Sequence, residues 1–292
     1  MKTSASERTF DVINILIMTI IMVCTLYPFY YVLMASISDS NLLIRHTGLL
    51  LKPVGFNLEA FQMVLKNPNI FSGYRNTLIV LVAGTAINLL FTTLGAYALS
   101  RKFMLRKYIM MAIVFTMYFS GGLIPTYLLI NNTLHMGNSL LALIVPVAIS
   151  TWNLIIMRTS FEAIPEGLLE SAKMDGAGEY RILFQIVVPL SMPVIAVMVL
   201  YYGVSHWNSW FQAMLFLQNR ELFPLQLILR EILVQNSTDS MTTGTGNAND
   251  TMAIGESIKY ATIMVATLPI LIVYPFLQKY FVKGVMVGAI KG

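Results

Sequence analysis

Long runs of apolar residues alternate along this chain with short clusters of Lys, Arg, Asp and Glu. A helix that crosses a bilayer needs about 20 mostly apolar residues, and the charge-free runs are long enough to supply them. Residues 12–38 carry no charge and predict a first span at 12–34; residues 76–100 predict a second. The run 108–157 is charge-free but too long for one helix. Asn131-Asn132 and Gly137-Asn138 are turn formers that divide it into spans at 108–130 and 139–157. A fifth span is predicted at 182–202, kinked at Pro189 and Pro193, and a sixth at 260–281. Glu7 and Asp11 precede the first apolar run and no small-residue cleavage site follows it, so the N-terminus reads as a retained anchor.

The charges between the spans set an orientation. With the N-terminus inside, twelve of the 19 Lys and Arg fall on the inner side and seven on the outer side. The short connection carrying Arg101, Lys102, Arg106 and Lys107 weighs most in that assignment. The expected topology is six helices with both termini inside. Two larger segments, 39–75 and 203–257, are then outside. The first has a helical pattern in Leu58, Phe61, Val64 and Leu65. The second has an apolar face in Leu225, Ile228, Leu229, Ile232 and Leu233, followed by a polar loop at 235–251. That loop holds two sequon-like triplets, at Asn236 and Asn249, a match common by chance in polar loops.

Composition agrees. Hydrophobic residues make up 57% of the chain, charged residues 11%, and mean hydropathy is +0.70; an ordinary soluble domain carries roughly a quarter charged residues. This excludes a water-soluble globule, a disordered chain and a nucleic-acid binder, although the net charge is +5. The one cysteine, Cys24, excludes an internal disulfide and is expected to be a packed apolar side chain.

Several chemistries are missing. No predicted span has a charged residue in its middle, where proton pumps and ion-coupled carriers place one. His46, His135 and His206 fall in or near the outer segments without metal-ligand spacing, and no phosphate-binding Gly-rich loop occurs. A secondary carrier or channel is disfavoured on these grounds, and a membrane enzyme by the lack of any His, Cys or carboxylate cluster at the spans. Uphill transport by this chain needs energy from another subunit.

The inner segment 158–181 holds five of the 14 acidic residues: Glu162, Glu166, Glu170, Asp175 and Glu179. Pro165 suits the first turn of a helix, with Leu168, Leu169 and Ala172 on one face and Glu166, Glu170 and Lys173 toward another. Asp175-Gly176 is expected to end that helix, Gly176 taking positive φ, and a second helix restarts near Glu179. An apolar stripe edged by carboxylates suits a groove on a cytoplasmic partner. The residues alone equally allow an ordinary amphipathic surface loop.

Glu170-Ser171-Ala172, Asp175-Gly176-Ala177, Phe184, Ile186, Pro189 and Pro193 together resemble the EAA motif of ATP-binding-cassette (ABC) importer permeases, with Ser171 where Ala is usual. The resemblance extends through Asn76-Thr77-Leu78, Gly95-Ala96-Tyr97-Ala98, Arg101, Gly121 to Pro125, Trp207-Asn208 and Pro224-Leu225-Gln226. It is to the shorter, six-helix permease of maltose-type carbohydrate importers. The C-terminal part, from Tyr274 on, is especially similar to permeases for complex oligosaccharides.

The resemblance implies an all-α, MetI-like transmembrane domain of type I ABC importers, spanning the whole of 1–292 in a bacterial cell membrane. It implies a second homologous permease chain, two ATPase subunits that bind ATP and Mg, and an extracellular solute-binding protein, with no cofactor in this chain. Leu168, Leu169, Glu170, Ser171, Ala172, Asp175, Gly176 and Ala177 would form the coupling segment, Glu170 meeting an Arg or Lys of the ATPase. Lys291 and Gly292 would reach between the ATPases, or serve as a basic anchor at the membrane. Sugars present C–H faces and hydroxyls, so a substrate path is expected among Tyr118, Trp152, Asn153, Tyr201, Tyr202, Trp207, Asn208 and Trp210. The competing role for these aromatic residues is a membrane-interface belt. A non-sugar solute, such as an amino acid or polyamine, is the alternative cargo.

Overall fold

The computed structural model describes the backbone of residues 5–234 and 248–289, and the side chains of residues 7–234 and 254–275. It divides into two compact units, Met1–Pro68 with Leu229–Pro269, and Asn69–Ile228 with Ile270–Gly292.

In the first unit, α1 (Ala5–Ser36) contains the predicted first span. Its apolar window is wholly exposed within the chain, and Cys24 with it, so that residue is not the packed side chain expected. A helix apolar on every side presents its surface to lipid or to another membrane chain. Asp39 caps α2 (Ser40–Arg45), accepting from the N–H groups of Asn41 and Leu42. The helix expected around Phe61 is α3 (Glu59–Lys66); Val64 is buried and Leu65 exposed. The backbone at 50–51 is pinned by two tyrosines: Leu50 N–H donates to the Tyr27 hydroxyl (3.1 Å), and the Tyr30 hydroxyl donates to the Leu51 carbonyl (2.7 Å).

In the second unit, α4 (Pro68–Ser100) begins well before Asn76, because a helix that reaches water can continue past the apolar boundary and keep Arg75 exposed. The third predicted span is broken into α5 (Arg106–Tyr118) and α6 (Leu123–Leu128), the latter extended by a π turn to Thr133, with an angle of 109° between them. Gly122, at φ +87°, makes the bend. Asn131-Asn132 lies inside the π turn; the chain reverses after it, with His135 and Asn138 at positive φ. The fourth span comprises α7 (Leu141–Ile144), continued by a 3-10 turn to Val147, and α8 (Thr151–Glu162), bent by 50°. As α8 runs to Glu162, the connection between the fourth and fifth spans starts later than residue 158.

After α9 (Glu166–Met174), the fifth span is formed by α10 (Glu179–Ile182), a π turn to Val187, α11 (Val188–Leu190) and α12 (Met192–Trp207). The bend of 85° falls at Ser191, between Pro189 and Pro193. Two residues without a backbone N–H remove helical hydrogen bonds on either side of one buried serine. Short α13 (Trp210–Phe216) precedes α14 (Leu225–Val234), which buries Leu225, Ile228 and Ile232 of the expected face and Leu227 as well. The last helix, α15 (Ala248–Ala289), is already helical at Asn249, where the polar loop was expected. The rest of that loop, including the Asn236 triplet, lies outside the described residues, as do Lys291 and Gly292.

Among the described residues, three helices are long and apolar enough to cross a membrane, or up to six when each bent pair counts as one span. One hydrophobic cluster gathers Tyr97 and Leu99 of α4, Leu154, Met157 and Phe161 of α8, Leu169 of α9, and Met198 and Tyr202 of α12.

Candidate functional site: a capped helical stub and an aromatic cavity

α9 starts after Pro165 and ends at Asp175 with both hydrogen bonds of a Schellman cap: Ala177 N–H to Ala172 C=O (3.0 Å) and Gly176 N–H to Lys173 C=O (3.0 Å). Gly176 takes φ +79°, the conformation such a cap requires. Ala172 and Ala177, joined by that cap, both pack on the main hydrophobic cluster.

The faces of α9 differ from the expected stripe. Leu169 is buried and Ala172 half-buried, so both serve this chain's own core. Leu168 is 49% exposed and Met174 89%. Of the exposed residues of α9, Glu170 and Met174 lie one turn apart on one side, while Leu168, two positions before Glu170, points to the opposite side. The period of a helix puts 168 and 169 about 100° apart, and the core can take only one of them.

Ion pairs hold the stub at both ends. Lys102 meets Glu166 (2.6 Å) and Lys173 meets Glu179 (2.6 Å). Hydrogen bonding by the Lys102 ammonium, and then its charge, holds the Glu166 carboxyl below the usual carboxylate range. The Tyr97 hydroxyl donates to the second oxygen of Glu179 (2.5 Å), and the Arg101 guanidinium lies 4.4 Å from the centre of the Tyr97 ring. The end of α4 thus grips both the start and the exit of α9.

Elsewhere in this unit a cavity of about 740 Å³ lies between the break in the fourth span and the far half of α12. Trp152, Asn153, Tyr201 and Tyr202 line it, four of the expected path residues. Trp152 and Tyr201 are exposed; Asn153 and Tyr202 are buried. The Tyr202 hydroxyl pairs with Thr92 Oγ1 (2.7 Å) and accepts from Ser150 N–H (3.1 Å), tying α12 to α4 and to the start of α8. Ser150, Ser205 and His206 also line the cavity.

His206 is not a loop residue. It is buried in α12 at 3% exposure, its ring against Gly84, where an added Cβ would lie 2.5 Å from Nε2. The Asn88 amide donates to the Val147 carbonyl (2.6 Å), leaving its Oδ1 to accept from Nε2–H of His206 (2.6 Å). The spacing of four from Tyr202 was the available signal for that placement.

The other four path residues do not line this cavity. Tyr118 ends α5 and is exposed; Trp210 is 37% exposed on α13. Asn208 caps α12 by donating to the Val204 carbonyl (2.9 Å). Trp207 is buried, so it does not belong to an exposed interface belt.

Residues 92–287 match the family described as "Binding-protein-dependent transport system inner membrane component". The chain belongs to this family. It is therefore an inner-membrane permease component of an ABC transport system. Protein LplC of Bacillus subtilis (strain 168) is 37% identical over 100% of this chain and 98% of its own length. The "Polygalacturonan/rhamnogalacturonan transport system permease protein YtcP" of the same organism is 39% identical over 93% of this chain and 94% of its own. A crystal structure of "a bacterial ABC transporter involved in the import of the acidic polysaccharide alginate" contains a chain that superposes with a TM-score of 0.87 at 32% identity, covering 96% of this chain and 99% of that one.

Within this permease the motif segments find structural roles. The Asn76 amide donates to the carbonyls of Glu221 (2.6 Å) and Phe223 (3.2 Å), and Leu225 N–H donates to Thr77 Oγ1 (2.9 Å). The Asn76-Thr77 and Pro224-Leu225 segments are thus two sides of one junction. Tyr97 and Arg101 serve the α9 stub, and Gly121-Gly122 is the break in span three.

Proposed function

We propose that this permease forms half of the translocation pathway of an ATP-driven oligosaccharide importer, and that α9 is its coupling helix. The outward face of α9 carries the coupling half of this reading. Glu170 and Met174 stand exposed one turn apart on a stub ended by its Schellman cap, a shape suited to a cleft on an ATPase. A carboxylate entering a partly dry cleft requires a cationic partner there, and an Arg or Lys of the ATPase would supply it. ATP and Mg bind to two such subunits; this chain has no cofactor and no hydrolytic role of its own. A second, homologous permease completes the pathway. Both termini are cytoplasmic, and the segments 39–75 and 203–257 receive an extracellular binding protein. The tail ending in Lys291 and Gly292 reaches toward the ATPases.

Carbohydrate as cargo is supported by the similarity to YtcP and to the alginate transporter, and by the cavity. Trp152 and Tyr201 offer ring faces, while Ser150, Asn153 and Ser205 supply hydroxyls and an amide. Among the described residues its lining is apolar, aromatic and uncharged-polar apart from His206, a surface that suits the pyranose ring.

The test is reconstitution of the complete transporter with its binding protein and an oligosaccharide in liposomes, comparing wild type with Gly176→Val. In the variant, ATP hydrolysis is expected to continue while uptake is lost. A Gly176→Val protein with normal uptake would overturn the role of α9, and no oligosaccharide uptake by the wild type would overturn the cargo.

A further inference from the structure

A second cavity in this unit, of about 710 Å³, has no place in the transport pathway just described. Four cations line it, Lys102, Arg106, Lys107 and Arg158, together with apolar walls that include Met104 and Met110. Two carboxylates answer them. Glu162 takes both arginines, Arg158 at 2.6 Å, and Glu166 takes Lys102 at 2.6 Å. Lys107 makes no ion pair among the described residues, so the cavity keeps a surplus of positive charge. The arginines are not free surface side chains: Arg106 is 26% exposed and Arg158 18%.

The apolar side sets the kind of anion. Met104 is 91% exposed at the mouth. From there α5 runs on with no buried residue, exposing Ile109, Met111 and Phe115. Basic residues just outside the apolar part of a membrane helix lie at the level of lipid headgroups. An anion with an attached hydrocarbon chain satisfies both parts of this surface; a free anion or an acidic protein segment satisfies only the charged part.

We propose that this cavity binds the phosphate of an anionic phospholipid, with its acyl chains along α5. Arg106 and Arg158, fixed by Glu162, donate to the phosphate, and Lys107 supplies the uncompensated charge. A headgroup seated there also neighbours the Lys102–Glu166 pair that holds the start of α9.

Native mass spectrometry of the intact transporter tests this, with dioleoyl phosphatidylglycerol, dioleoyl phosphatidylcholine and inorganic phosphate as probes. Phosphatidylglycerol is expected to be retained severalfold over phosphatidylcholine, and inorganic phosphate not to displace it. Lys107→Gln, which breaks no ion pair, should lower that retention about five-fold, the effect of one basic residue near an anionic lipid surface. Arg106→Gln is a second variant, read only if its melting temperature matches wild type. Equal retention of the two lipids overturns the proposal, as does retention unchanged by Lys107→Gln. Displacement by inorganic phosphate would make the site one for a free anion. Loss of the ATPase subunits from the Lys107→Gln transporter, with lipid retention unchanged, would make it a protein contact.

Discussion

Gly84 and His206 form a contact with no room to spare. A Cβ at 84 would lie 2.5 Å from the His206 ring, which is itself held by Asn88. Gly84→Ala must push the ring off Asn88, and overpacking of this kind costs about 1–3 kcal/mol. A lower melting temperature in detergent is expected, with partial recovery when His206→Ala is added; an unchanged melt would refute the contact. A second residue-scale test concerns pH. Because Lys102 depresses the Glu166 titration, the pair is complete at neutral pH. It is lost only as pH falls through the lowered value. Lys102→Gln is expected to move the Glu166 midpoint up toward that ordinary range, read by NMR of labelled glutamate side chains; a midpoint that stays put would show that the pair has no effect. The pair is exposed, so no measurable loss of stability is expected from the same substitution.

At the scale of elements, α9 has a buried and an exposed leucine on adjacent residues, which lets the proposed docking role be tested apart from folding. Leu169→Ala empties a buried position and should destabilise by about 2–5 kcal/mol. Leu168→Ala should leave the melt unchanged and weaken ATPase co-purification. The reverse pattern would return Leu168 to the core. In the aromatic cavity, Trp152→Ala removes a ring face worth about 0.5–1.5 kcal/mol, so a weaker apparent affinity for oligosaccharide is expected without loss of assembly. What the sequence revealed of these elements follows from how local the cause is. Pro165, Asp175-Gly176 and Glu179 obey backbone rules, and α9 begins and ends where they place it. The choice between Leu168 and Leu169 depends on where the core lies, which no helical period contains. His206 lies beyond the fifth span predicted at 182–202, whereas α12 continues to Trp207 and buries it. In the same way, charge-free stretches locate the spans, and Pro189 and Pro193 mark the bend in the fifth, but nothing in those stretches shows the bends in the third and fourth. Gly121-Gly122 stood out as a family segment, not as the cause of the break.

For the molecule as a whole, the uneven distribution of Lys and Arg and the position of α9 point the same way: the gripped stub and the basic connection lie at one end of α4. Lys102 pairs with Glu166 and Tyr97 with Glu179, so the chain at the end of α4 contacts both ends of α9, and Thr92 of α4 meets Tyr202 of α12 at the cavity wall. The most direct measurement is photo-crosslinking in the assembled transporter from a probe placed at Met174 or, separately, at Leu169. A crosslink to the ATP-hydrolysing subunit from Met174, and none from Leu169, is expected. Crosslinking from neither position, or equally from both, would contradict α9 as the coupling helix.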